Sequence, residues 1–314
     1  MNRRPLVANA IAAAFRWAIG TAIAGLAGTF AFGGTAAAST QQFRGVQVEV
    51  IGEGRPVLMI PGLNSGADTW RDTCAALQAD HVQCHLVQLP GFAGRPAASD
   101  RQGDFLADMR DRLLAYVSER KLDKPVVVGH SLGGVLALQM ALKSPAAFER
   151  LVIIDSLPFF PALRNPAMTE EQARPMAEGM RTQMLAQDAA SYEQATIATA
   201  KGLVRDASRT QTIVDWGRAS DRTATTDAMY SMMATDLRAP LAQLKTPTLV
   251  LGSWAAYAPY GSTKESTRAI FQAQYAQLPG VRIEMSEAGY HFLMWDDPTW
   301  VQAQVRDFIG PASH

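Results

Sequence analysis

From residue 46 onward, short runs of β-branched and aliphatic residues alternate with segments whose apolar positions recur every three or four residues. The first kind covers 46–51, 57–60, 82–87, 126–128, 151–154, 248–251 and 281–285. Several of these runs are continuously apolar, as expected of strands buried on both faces. The second kind covers 68–79, 103–120, 133–143, 266–277 and 299–309. Strand–helix alternation predicts an α/β fold, with a mostly parallel central sheet and helices on both faces. The alternation breaks once. Between Asp155 and Thr248 the chain reads as helices and loops without a clear strand. The expected organisation is therefore a core of 39–156 and 241–314, interrupted by a helical cap at 157–240.

The amino terminus has a different pattern. Arg3 and Arg4 precede a run rich in Ala, Gly, Ile and Phe that ends in Ala36-Ala37-Ala38, and no acid occurs before Glu49. A basic start, an apolar stretch and a small-residue cleavage site predict an export signal over residues 1–38. The expected location is periplasmic or secreted, with the export route open. Removal would take Arg3, Arg4 and Arg16 and leave 276 residues of formal charge −3. No second spanning run follows. Export permits disulfides, and Cys74 and Cys84 are the only candidates. Sequence leaves their pairing open, because a bridge depends on Cα spacing.

Composition narrows the chemistry. The 314 residues are 48% hydrophobic and 18% charged, with 29 basic and 29 acidic side chains. Such a chain has a substantial core and is not disordered. It also lacks the basic excess of a nucleic-acid binder. Two cysteines, and no paired Cys/His pattern, imply no metal site. No glycine-rich phosphate loop follows a strand, so no cofactor is implied.

Three local patterns carry candidate chemistry. Gly129-His130-Ser131-Leu132-Gly133-Gly134 follows an apolar strand and opens a helix. This is the G-x-S-x-G elbow in its strand–turn–helix setting. It would lift the Ser131 hydroxyl above the sheet edge and aim the Leu132 N–H where an oxyanion forms. The second pattern, Pro61-Gly62-Leu63 after another strand, offers the Leu63 N–H as a second oxyanion donor. The third is Gly289-Tyr290-His291-Phe292. A serine nucleophile needs a base. Of five histidines, His81 and His85 flank an early strand, His314 is terminal, and His130 adjoins the serine with its side chain expected in packing. His291 lies on a late strand-exit loop and is the expected general base.

These motifs, with Leu89-Pro90-Gly91-Phe92-Ala93-Gly94 and Asp297-Pro298, make the chain from residue 46 onward resemble the α/β-hydrolases that carry a cap between the sixth and seventh strands. The resemblance implies a Ser–His–acid triad. Family members usually carry the acid just after the seventh strand, yet residues 252–261 hold no carboxylate and the next is Glu265. The family's second solution places the acid at the end of the sixth strand, where Asp155 stands. Asp155 is the expected acid, with Glu265, Asp236 or no acid as alternatives.

The expected function is an exported serine hydrolase that cleaves small-molecule carboxylic esters, small-to-medium apolar acyl or aryl esters, through a Ser-His-Asp triad and an acyl-enzyme. The alternatives are an amidase or peptidase, a thioesterase, a perhydrolase, or a binding protein that does not turn over. Seven of the 13 methionines lie between Met168 and Met233. Met176, Met180 and Met184 share one helix face by spacing. Together with Trp254, Tyr257, Phe159 and Phe160 they could line an apolar acyl pocket, or simply pack the cap.

Overall fold

The structure, a computed structural model, describes residues 38–311. The expected export segment therefore lies outside the described residues except for its last residue. Among the described residues no helix is long and apolar enough to cross a membrane.

Eight strands form one sheet. They are β1 (Ser39–Phe43), β2 (Val46–Ile51), β3 (Arg55–Ile60), β4 (Val82–Gln88), β5 (Val126–His130), β6 (Leu151–Ile154), β7 (Thr248–Gly252) and β8 (Arg282–Met285). Their order across the sheet is β1-β2-β4-β3-β5-β6-β7-β8. β2 runs antiparallel to β1 and β4, and every neighbouring pair from β4 to β8 is parallel. The apolar pattern does not announce β1, because its sequence is Ser-Thr-Gln-Gln-Phe and only Phe43 is buried.

Helices α1 (Arg71–Leu77), α2 (Phe105–Glu119) and α3 (Leu132–Lys143) follow β3, β4 and β5 in turn. The β6–β7 connection holds α4 (Glu170–Ala186), α5 (Ala189–Ala200), α6 (Ala207–Ala219) and α7 (Arg222–Met233). α8 (Lys264–Gln274) precedes β8, and α9 (Leu293–Asp296) and α10 (Pro298–Ile309) follow it.

Each central strand feeds two cores. Leu58, Ile60, Val127, Leu151, Ile153 and Val250 pack with residues of α2, α3 and α8. The alternate positions Val57, Met59, Val126, Val128, Val152, Ile154, Leu249 and Leu251 pack with residues of α1 and α10. Side chains of a strand alternate between faces, so a strand covered on both must be apolar at every position. Cys74 on α1 and Cys84 on β4 are joined by a disulfide, with Cα atoms 6.0 Å apart.

The helices between β6 and β7 begin at polar caps. Asp188, Asp206 and Asp221 accept from Ser191 N, Ser208 N and Ala224 N at 2.9, 2.7 and 2.7 Å. Each carboxylate satisfies an otherwise free helix-start N–H. α7 contacts both α2 and α4. Asp227 of α7 is buried between Arg101, just before α2, and Arg181 of α4.

The pairing of Ile60 with Gly129, His130 with Ile154, Ile154 with Leu251 and Gly252 with Met285 sets five carboxyl-terminal strand ends along one sheet edge. The segments that begin at Pro61, Ser131, Asp155, Ser253 and Ser286 leave from that edge. In open α/β sheets the crevice outside these strand ends is where ligands bind.

Candidate active site

Ser131 sits between β5 and α3 with φ 53° and ψ −118°, a backbone region that L-residues avoid. Such strain costs about 1–3 kcal/mol and persists only where the surroundings enforce it. They do so here. The Ser131 N–H donates to Ile154 O at 2.9 Å, which ties the turn to β6. A Cβ on Gly129 would lie 2.2 Å from the Gly133 carbonyl oxygen, and one on Gly133 would lie 2.2 Å from Ile60 O. The motif's two glycines are thus needed for different reasons. One admits the turn's own backbone, and the other admits strand β3.

Pro61–Gly66 packs against this elbow. A Cβ on Gly62 would stand 3.2 Å from Ser131 Cβ. Ser65 N donates to Gly62 O at 3.2 Å, and Asn64 takes the left-handed conformation with φ 59°. Asn64 Oδ1 accepts from the Thr225 hydroxyl of α7 at 2.6 Å. Among the described residues, neither the Leu63 nor the Leu132 amide donates to a protein group. Both are free to serve a ligand.

His291 lies on the loop that follows β8. Ser286, fully buried, donates to Asp297 Oδ2 at 2.7 Å and accepts from Gly289 N at 2.9 Å. Tyr290 N donates to Asp296 Oδ2 at 2.9 Å. The connection between α5 and α6 grips the same loop. Phe292 N donates to Leu203 O at 3.1 Å, and Arg205 N donates to Asp296 Oδ1 at 3.1 Å.

Asp155 leaves β6 with φ 44°, its N–H donating to Leu251 O at 2.7 Å. Its carboxylate meets three donors. Oδ1 accepts from Ser253 N at 2.8 Å. Oδ2 accepts from Ser253 Oγ at 2.8 Å and from His291 Nδ1 at 2.6 Å. A carboxylate accepts here, so Nδ1 is the donor, and in the neutral ring Nε2 keeps a lone pair. The structure thus brings Asp155 and His291 into contact, beside the strained Ser131 turn. Among the described residues no hydrogen bond joins Ser131 to His291. Such bonds often tighten only when substrate is present.

The alternatives lie elsewhere. Glu265 is in the first turn of α8, and Asp236 pairs with Arg238 at 2.6 Å. Neither bonds to His291. His85 is buried in β4 between Tyr116 and Gln83, at 2.8 and 3.0 Å. His81 occupies a left-handed turn before β4.

His130 does more than fill space. Its Nε2–H donates to the His291 carbonyl at 3.0 Å, and the two rings stand 4.5 Å apart. Burial, and secondly the neighbouring His291, push its pKa well below the usual imidazole value. It is a neutral buttress between the elbow and the His291 loop. The spacing of one motif could not reveal that link, since the partner is 161 residues away.

The proposed pocket lining is rearranged. Phe159 is fully buried with Ala162 and Ala173, beneath the Arg238 guanidinium. α4 turns Ala173 and Ala177 inward and leaves Met176 56% exposed. Tyr257 stays 49% exposed, and its phenol is pushed up by burial and by the Asp155 charge. Trp254 Nε1 donates to Ser286 O at 3.0 Å and so braces the His291 loop.

A mostly parallel sheet flanked by helices, with a strained serine turn between a central strand and its helix, defines the α/β-hydrolase class. The Alpha/beta hydrolase family model matches residues 57–304, and the chain belongs to that family. Its relatives include a protein named putative carbamate hydrolase RutD from Yersinia enterocolitica. That protein is 28% identical over 65% of this chain and 72% of its own length. A pimeloyl-[acyl-carrier protein] methyl ester esterase from Nitrosospira multiformis is 33% identical over 36% of this chain and 43% of its own. Among solved structures, a hydrolase from Pseudomonas aeruginosa superposes with TM-score 0.70 at 16% identity, over 88% of this chain and 99% of that one. An esterase from Exiguobacterium antarcticum gives 0.68 at 16%, over 84% and 95%. At that identity the structures speak for the fold alone. The chain is a hydrolase of this family.

Proposed function

We propose that this protein is an exported serine hydrolase that cleaves small-molecule carboxylic esters through an acyl-enzyme, with Ser131 as nucleophile, His291 as base and Asp155 as acid. The observation that carries the reading is the 2.6 Å contact from Asp155 Oδ2 to His291 Nδ1, made beside a serine held at φ 53°. Asp155 fixes the tautomer and stabilises the imidazolium. His291 Nε2 takes the Ser131 proton as Oγ attacks the carbonyl carbon. The oxyanion accepts from the Leu63 and Leu132 amides, each such donor contributing on the order of 10²–10³ in kcat. The imidazolium gives its proton to the leaving alkoxide. Water then loses a proton to His291, attacks the acyl carbon and releases Ser131, which recovers that proton.

Helices α4–α7 act as the cap, and the Thr225 bond to Asn64 supports their placement over the oxyanion turn. The Cys74–Cys84 disulfide supports an oxidising compartment and hence export. The test is a nitrophenyl-ester series of increasing acyl length. The Yersinia relative's name adds carbamates to that panel. Turnover of at least one ester, abolished in Ser131→Ala, is expected. Turnover of carbamates and of no ester would move the reading to carbamate hydrolysis. No turnover of either would favour a binding protein.

A further inference from the structure

Ser253, the first residue after β7, grips both oxygens of Asp155. Its N–H meets Oδ1 and its hydroxyl meets Oδ2, each at 2.8 Å. Oδ2 is the oxygen that also meets His291 Nδ1. Ser253 is 2% exposed, and among the described residues its hydroxyl bonds to nothing but Asp155. The backbone ties the same two segments together, since Asp155 N donates to Leu251 O in β7, two residues before Ser253.

An aspartate has two side-chain torsions, and a carboxylate held at one oxygen can still rotate. Two donors from a single residue, one on each oxygen, fix the carboxylate plane. Among the described residues no Lys or Arg lies within ion-pair distance of Asp155, whose one charged-type partner is His291. The Ser253 donors therefore carry a large share of the work of holding the anion in place. Hydrogen bonds to an ionised group are among the stronger ones in proteins.

We propose that Ser253 is the positioning residue of the acid, locking the Asp155 carboxylate in the plane that orients His291. The β7 exit thus takes part in the triad through a serine. The inference rests on the reading of Asp155 as the acid, and the experiment separates the two.

The experiment is a double-mutant cycle of wild type, Ser253→Ala, Asp155→Asn and the double variant. Each is assayed for kcat and KM on a short nitrophenyl ester and for its unfolding midpoint. Ser253→Ala is expected to lower kcat about 10-fold to 100-fold, with KM unchanged, and to cause no further loss in the Asp155→Asn background. Ser253→Cys puts a weaker, slightly larger donor at the same position and should fall between wild type and Ser253→Ala. The inference is overturned if Asp155→Asn collapses kcat while Ser253→Ala leaves it intact. Equal fold-losses in both backgrounds would also overturn it, since they mark a role independent of the acid. If Asp155→Asn itself leaves kcat unchanged, the acid assignment fails first and this proposal falls with it.

Discussion

Replacing Asp155 by Asn exchanges one acceptor oxygen for a donor NH₂ with almost no change of shape. The native carboxylate serves three donors: Ser253 N at one oxygen, and Ser253 Oγ with His291 Nδ1 at the other. No orientation of the amide serves all three. With its NH₂ toward His291, Nδ1 must become the acceptor, the ring proton moves to Nε2, and the base cannot take the serine proton. With its oxygen toward His291, the NH₂ faces the Ser253 N–H at a separation of 2.8 Å, donor against donor. A triad acid changed to its amide lowers kcat about 10⁴-fold through the wrong tautomer, or about 5.5 kcal/mol of transition-state stabilisation. Steady-state hydrolysis of a nitrophenyl ester measures the loss, and the unfolding midpoint checks that the fold survives. Glu265→Gln, on α8, should leave kcat unchanged. A folded Asp155→Asn enzyme within about tenfold of wild type, a gap of only 1.4 kcal/mol, would refute the assignment. So would a collapse in Glu265→Gln.

Three further predictions concern the scaffold. Gly133→Ala forces a Cβ to 2.2 Å from Ile60 O and 2.7 Å from its carbonyl carbon, both backbone atoms of a central strand. Urea unfolding should show a loss of about 3 kcal/mol or more, and unchanged stability would contradict the packing described. Burial lowers the His85 pKa from 6.5 to about 4, so below pH 6.5 the unfolded chain binds a proton that the folded chain refuses. Stability is full above that pH and falls by about 3 kcal/mol as the pH drops toward 4, with His130 adding in the same direction. Denaturant curves between pH 7.5 and 4.5 should show this slope, and His85→Gln should flatten it. The Cys74–Cys84 bridge spans 10 positions, and its removal in the Cys74→Ala/Cys84→Ala double variant should cost about 2–3 kcal/mol. An unshifted denaturation midpoint would show that the bridge does not constrain the unfolded chain.

The fold was legible because both-face burial writes itself into the chain: strands β3, β5, β6 and β7 are apolar at nearly every position. β1 was not legible, since a polar strand paired on one side leaves no such mark. The elbow was legible because its glycines answer steric demands within a few residues and at one neighbouring strand. The expectation that Asp155 is the acid came from the missing carboxylate after β7 and the family's second arrangement, and Asp155 does contact His291. What sequence did not reveal is long-range. The Ser253 grip on Asp155 spans 98 residues, the His130 bond to the His291 carbonyl spans 161, and Arg205 reaches Asp296 across 91. None has a local signature, because a buried serine or histidine looks the same in sequence whatever it touches. The methionine spacing on α4 holds in part: Met180 and Met184 are half-buried on the face of Ala173 and Ala177, while Met176 at its edge is exposed.

The central claim is that Ser131 is an activated nucleophile served by His291. Mass-spectrometric mapping of a fluorophosphonate adduct tests it most directly. One adduct per chain is predicted on the peptide carrying Ser131, absent in Ser131→Ala and strongly slowed in His291→Ala. An adduct on another residue, or a folded protein that never labels, would contradict the account.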